Sequence, residues 1–237
     1  LESVNLSLSE HARMRLRGKI DRVDLYEDEE HVYVKVIDYK TGAKAFQLGE
    51  MYHGLQLQLI VYLNAVMEME EQKHPEKEIV PAGIFYYQMK DPFVEKEVRE
   101  NLGEKAVLKE LKPDGIVNSS EEVITHLDRS FSGNSDVIPV GRNKDQSLSK
   151  TSKVLSGRGF NILSEYTDQI LNRIGQRILD GEAEILPYEL GGKTGCDYCP
   201  YQGICGFDKK IPGYEYRKLS KLKDVEALQQ MEQEVKE

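Results

Sequence analysis

The run Asp38-Tyr39-Lys40-Thr41-Gly42 closes an apolar, alternating stretch from Val32 to Ile37. Seventeen residues earlier, Asp21 stands within Gly18-Lys19-Ile20-Asp21-Arg22-Val23-Asp24. Two acids and a lysine delivered by neighbouring strands are what metal-assisted phosphodiester hydrolysis requires. Carboxylates hold a hard divalent cation through oxygen. A cation so held polarises a phosphate and lowers the pKa of bound water toward neutrality. A lysine beside it is a point charge that can neutralise the attacked phosphate or orient the water. The alternative is a salt-bridged hairpin in which Asp38 pairs with Lys40 or Arg22. Asp24 is a weaker candidate, because three residues from Asp21 it falls on the other side of a regular strand.

Two further sets could contribute. Gln58 and Tyr62 are four apart and share a face of a helix; they could contact phosphate or orient the lysine, or simply mark the boundary between a polar and a core face. Cys196-x2-Cys199-x5-Cys205 gathers every cysteine of the chain within ten residues. Clustered cysteines without a secretory signal point to a metal or a cluster rather than to disulfides. Structural zinc and an iron–sulfur cubane each take four ligands. The fourth must then come from outside the chain, or from a His or Asp such as His74 or His126.

The elements needed to position these residues can be read from periodicity. Leu16 to Tyr26 is expected to be a strand, Asp28 to Glu30 a turn, and His31 to Tyr39 the next strand, an antiparallel hairpin. Gly18 permits a close backbone approach. Glu50 to Glu71 reads as one long helix, with Leu55, Leu59, Tyr62, Val66 and Met69 at spacings of three and four, stopped by His74-Pro75. Val80 to Met89 reads as a third strand, with Pro81 in its first turn or at an edge. Further on come a short helix at Glu104 to Leu111, a turn at Lys112 to Gly115, and a helix at Ser120 to Asp128. Ser130 to Ser152 is a polar loop around a short strand at Val137 to Val140. Phe160 to Asp180 is a second long helix with Ile162, Ile170, Ile174 and Ile178 on one face. Glu182 to Tyr188 is extended, and a charged helix begins near Val225.

The chain has 237 residues, 39% hydrophobic and 31% charged, with a formal net charge of −9. That balance argues against a basic nucleic-acid-binding module but not against a nuclease, whose carboxylate site is acidic until metal enters. The acidic run Glu27 to Glu30 reads as a solvated hairpin turn. No apolar run approaches the roughly 18 residues of a membrane span, and no signal peptide is visible. The chain opens at Leu1 and is expected to be cut from a longer protein.

Taken together, Gly18 to Asp24, Asp38 to Gly42 and Gln58-x3-Tyr62 resemble the RecB-type branch of the PD-(D/E)XK nucleases. The Cys196-x2-Cys199-x5-Cys205 tail, followed by Tyr214-Glu215-Tyr216-Arg217, is similar to the AddB-type subfamily of bacterial ATP-dependent helicase–nucleases. The resemblance covers most of residues 11 to 220. It implies an α/β, restriction-endonuclease-like fold, a mixed central sheet flanked by helices with a Cys-rich tail. Residues 1–190 would form the nuclease core, and 191–237 the iron–sulfur-type tail and C-terminal helix. It implies a cytoplasmic, Mg2+- or Mn2+-dependent DNA exonuclease for double-strand-break repair. Its substrate would be single strands unwound from duplex DNA by an AddA-like helicase–nuclease partner, with no membrane involved. Asp21, Asp38 and the Tyr39 carbonyl would be metal ligands, Lys40 the catalytic lysine, and Gln58 and Tyr62 its support. Cys196, Cys199 and Cys205 would hold a 4Fe-4S cluster whose fourth Cys lies, in the family, far upstream of the first nuclease motif. This chain lacks that Cys, and His11, near where an upstream metal ligand would stand, has no motif to assign it. A catalytically silent DNA-binding or scaffold domain of the same complex is the alternative.

Overall fold

A computed structural model describes residues 4–42, 44–89, 104–129 and 131–236. A five-stranded mixed sheet in the order β3-β4-β5-β6-β7 organises the chain. The strands are β3 (Arg22–Glu27), β4 (His31–Lys40), β5 (Glu78–Gln88), β6 (Asp114–Asn118) and β7 (Val154–Leu155). β3/β4 and β5/β6 pair antiparallel, β4/β5 and β6/β7 parallel. This is the expected mixed sheet flanked by helices.

The period-two pattern of β4 decides which face carries chemistry. Val32, Val34 and Val36 enter the main core, whereas Ile37 and Tyr39 belong to a second core on the opposite face. Residues two apart on a strand share a face, so Asp38 and Lys40 continue the row of valines. Helices α2 (Gln58–Lys73) and α5 (Gly157–Leu179) cover that face, with Leu59, Ile60, Leu63, Phe160, Leu163 and Tyr166 buried against it. The C-terminal helix α7 (Asp224–Lys236) adds Ala227 and Met231 to the same core. Helix α4 (Glu121–Leu127) lies over the other face through Val123 and Ile124. Helix α3 (Glu104–Leu111) precedes β6.

Several expectations are corrected. The Leu16–Tyr26 strand is two strands. β2 (Arg13–Leu16) pairs with β1 (Val4–Ser7) in a separate ribbon, β3 starts at Arg22, and Gly18 to Asp21 are irregular between them. The Glu50–Glu71 helix is also two, α1 (Leu48–Tyr52) and α2. Gly54 at φ +77° takes the left-handed conformation that a continuous helix excludes. Leu55 therefore falls between helices, and Gln58 opens α2. Lys112 to Gly115 is not a four-residue turn, because β6 already begins at Asp114. Val137 to Val140 forms no strand; Ile138 and Val140 are buried as irregular chain, with isolated bridges Asn134–Gly141 and Arg142–Leu148 nearby. Ser130, where that loop was expected to start, lies outside the described residues. Pro81 is on an inner strand, but β6 pairs only with Gly83 to Tyr86, and the β4/β5 register shifts beside it, so its missing N–H is tolerated. On α5, Ile162 and Ile170 are buried while Ile174 and Ile178 are exposed.

Tyr188–Leu190 (β8), Lys193–Thr194 (β9) and Arg217–Lys218 (β10) form a small sheet framing the cysteine segment, in which α6 (Gln202–Cys205) is one short turn. Among the described residues no helix is long and apolar enough to cross a membrane.

Candidate active site

The end of β4, the loop before β3 and the start of α2 meet at one place. Asp21 sits one residue before β3, and its Oδ2 accepts a hydrogen bond from the Tyr39 N–H at 2.9 Å. This ties the first acid to the backbone between Asp38 and Lys40. Asp38 is 2% exposed. Its Oδ2 lies 2.5 Å from Lys40 Nζ, yet that buried oxygen accepts no hydrogen bond. Lys40 Nζ donates to Gln58 Oε1 at 2.9 Å, and Gln58 Nε2 donates to the Tyr62 hydroxyl at 3.0 Å. Tyr62 is seated on Gly18, where a Cβ would come within 3.1 Å of its ring and hydroxyl. An unbroken series thus runs from Asp38 through Lys40, Gln58 and Tyr62 to Gly18, joining three separate sequence segments.

The expected salt-bridge alternative exists in part. Lys40 does pair with Asp38, but Arg22 does not. Arg22 grips Asp24 with two hydrogen bonds, at 2.7 and 3.1 Å, and Lys35 meets Asp24 Oδ2 at 2.7 Å. Burial works to raise the Asp24 pKa, but Arg22 and Lys35 outweigh it and hold the carboxyl below its usual range. The Arg22 guanidinium is correspondingly raised, first by Asp24 and then by Tyr39.

The periodicity reading missed Tyr86 and Lys44. Tyr86 stands opposite Asp38 in the β4/β5 ladder and is wholly buried, its hydroxyl without a hydrogen bond. Burial, then the charges of Asp38 and Glu50, push its pKa to about 12. The ammonium groups of Lys40 and Lys44 lie 5.5 and 5.3 Å from its ring centre, in cation–π range. Burial, and then Lys40, lower the Lys44 pKa. The signal for Lys44 was its place just past the Thr41-Gly42 turn. A cleft of about 690 Å³ opens beside Lys40, with Lys44, Glu50, Gln56, Gln88 and Lys193 in its wall. Lys193 and Lys221 line an adjoining hollow. This lysine-lined channel is a local exception in a chain of net charge −9.

The donor set fits a hard divalent cation. Asp38 Oδ2 has a charge partner but spare lone-pair capacity, and Asp21 and the Tyr39 carbonyl supply further oxygens. The cysteine segment offers three free, half-buried thiols, Cys196, Cys199 and Cys205, three of the four donors that a cubane takes. Asp197 caps the segment by accepting from Thr194 N–H and Oγ1–H, and Cys205 Sγ accepts from Phe207 N–H at 3.4 Å. Phe207 packs on Tyr214 and Tyr216, and contact with Cys196 raises the Tyr216 pKa, so the Tyr214 to Arg217 stretch folds back on the thiols. His74 faces Glu70, Glu27 and Glu76; His126 lies against Tyr26 and Tyr33. His11 lies in the β1–β2 connection with its N–H on Ser9 Oγ.

A profile of the PD-(D/E)XK nuclease superfamily matches residues 1–206. The chain belongs to that superfamily. PD-(D/E)XK nucleases generally use divalent metals, in keeping with the oxygen donors at the end of β4. Three similar proteins are each named as the B-type component of an ATP-dependent helicase/deoxyribonuclease. The one from Alkaliphilus metalliredigens is 41% identical over 233 residues, 97% of this chain and 20% of that protein. The one from Lachnoclostridium phytofermentans is 42% identical over 218 residues, covering 88% and 19%. The Bacillus cereus protein is 35% identical over 239 residues, covering 99% and 20%. This PD-(D/E)XK chain therefore spans about one fifth of the length of the curated relatives it matches.

Proposed function

We propose that this chain is the DNA-cleaving part of an AddB-type component of a helicase–nuclease. It would hydrolyse phosphodiester bonds in single strands released from duplex DNA by an AddA-like motor protein, the chemistry of end resection in double-strand-break repair. The observation that carries this reading is the Asp38–Lys40–Gln58–Tyr62 series, with Asp21 fastened to the Tyr39 N–H.

Asp21, Asp38 and the Tyr39 carbonyl would hold Mg2+ or Mn2+. When bound, such a cation supplies a polarised phosphate and a nucleophilic water near neutral pH. Lys40 neutralises charge on the phosphate as it is attacked. Gln58 fixes the ammonium by accepting its hydrogen bond, and Tyr62 fixes Gln58. Lys44, Lys193 and Lys221 line a path for the phosphates of the strand on either side. Cys196, Cys199 and Cys205 would supply three thiolates to a 4Fe-4S cluster, with the fourth ligand from outside this chain. Their task there is to tie the tail, since cluster binding is folding free energy.

The test is cleavage of end-labelled single-stranded DNA by the purified chain, with Mg2+ and with chelator. Cleavage that needs the metal and is abolished by Asp38→Asn supports the reading. Binding without cleavage under all metal conditions would leave the silent scaffold in its place.

A further inference from the structure

At the opposite end of β4, a second group of metal-ligating side chains comes together. Asp28, in the turn between β3 and β4, accepts through Oδ1 from the N–H groups of Glu30 and His31 at 2.9 and 2.7 Å. His31 Nδ1 lies 3.3 Å from the same oxygen. Glu122 projects from the first turn of α4. One ligand atom each of Asp28, His31 and Glu122 lies within 4.8 Å of the other two. His31 and Asp38 are seven residues apart on one strand, which puts this cluster about 23 Å from the candidate active site.

An independent feature points into the cluster. Tyr33 is 4% exposed, and its hydroxyl, which finds no partner in good hydrogen-bond geometry, faces the Glu122 and Asp28 carboxylates. His126 Nε2 is also buried without a hydrogen bond, 3.9 Å from Glu122 Oε1. Two carboxylates, an imidazole, a buried phenol and a second imidazole nitrogen therefore converge, and two of these polar atoms, the Tyr33 hydroxyl and His126 Nε2, are buried without a well-formed hydrogen bond. Mixed oxygen and imidazole donors suit first-row divalent ions better than Mg2+ or Ca2+.

We propose that Asp28, His31 and Glu122 form a second cation site, for a first-row divalent ion such as Mn2+ or Zn2+, that clasps the β3–β4 turn to the start of α4. Asp28 and His31 belong to the turn and Glu122 to the helix, so a shared ion fastens the hairpin across the sheet face that α4 covers. The site is separate from the cleaving machinery, and neither depends on the other.

The test uses the 237-residue chain carrying Asp38→Asn, which silences the strand-end carboxylate, and Mn2+ as the probe because it avoids the thiols. Free Mn2+ measured by electron paramagnetic resonance should report one bound ion per chain. His31→Ala and Glu122→Gln should each weaken it tenfold or more. Mn2+ should broaden the His31 imidazole resonances ahead of those of His11, His53 and His74, and should raise the melting temperature of the parent but not of the variants. Binding that survives both substitutions unchanged overturns the proposal. So does the absence of broadening at His31, a readout on the parent that stands even if a variant fails to fold. With Asp38 restored, His31→Ala should cleave DNA as the parent does. A chain that binds Mn2+ here but never cleaves would refute the nuclease reading alone.

Discussion

Lys40 and Gln58, eighteen residues apart, are joined by a 2.9 Å hydrogen bond from the end of a strand to the first residue of a helix. That bond exists because the chain between them breaks its helix at Gly54 and starts a new one at Gln58. A continuous helix from Glu50 would have placed Gln58 in its third turn.

Replacing Lys40 by Ala leaves the buried Asp38 carboxylate without its charge partner. The expected cost is about 3 kcal/mol, and cleavage should fall by roughly 10²-fold or more. DNA affinity should change little, because one charge of several along the channel is lost. Saturating Mg2+ should recover more melting temperature in Lys40→Ala than in the parent, since the cation takes over compensation of Asp38. Equal Mg2+ shifts in both proteins would separate Asp38 from metal binding.

Tyr62→Phe keeps the ring on Gly18 and removes only the oxygen that receives Gln58 Nε2. Loss of one hydrogen bond in the series, about 1 kcal/mol, should lower kcat roughly fivefold with KM nearly unchanged. Gly18→Ala should act in the same direction and also cost stability, because its Cβ meets the tyrosine at 3.1 Å. A Tyr62→Phe protein that loses affinity for DNA while keeping kcat would instead make Tyr62 a phosphate contact.

Asp24 gives an acid-side signature. Its folded pKa lies below its ordinary value, which is about 3.9 in an unfolded chain. The stability it contributes is therefore complete above the unfolded pKa and is lost as pH falls through the folded one. Urea denaturation between about pH 5 and pH 3 should show a steeper decline for the parent than for Asp24→Asn. Parallel declines would mean that the Arg22 and Lys35 contacts carry no net weight.

Met231 is fully buried in the main core, although it lies six residues from the last residue of the chain. Met231→Ala should destabilise the whole sheet by about 2–5 kcal/mol, in a single unfolding transition. Asp224→Ala removes the acceptor of the Leu48 N–H at 3.1 Å, a cap worth about 1 kcal/mol. A separate early transition for the C-terminal region would show that α7 is an appendage.

Much of this was legible because strand chemistry is local. The alternation of Val32, Val34 and Val36 fixes the face of Asp38 and Lys40, and the hairpin follows from the turn at Asp28 to Glu30. What escaped was set by partners distant in sequence. β6 looks like a turn because Pro113-Asp114-Gly115 has turn composition, and only its pairing with Phe85 and Tyr86 makes it a strand. The glycine break at Gly54 was hidden under an apolar period that runs on past it. Tyr86 and Lys44 reach the site through cross-strand pairing and a cation–π contact, which no spacing encodes. The acidic turn read as plain solvated surface, because Glu122, which gives Asp28 and His31 a third companion, comes from another element.

The place of α7 orders events during synthesis. Leu48 and Met51 of α1, the helix that carries Glu50 into the cleft wall, share a core with Ala227 and Met231. A ribosome that has made everything up to the cysteines has made every residue of the strand-end site but not the helix on which the cleft wall rests. Truncated translation products should therefore carry the full set of acids and lysine and still lack the helix that backs the cleft wall.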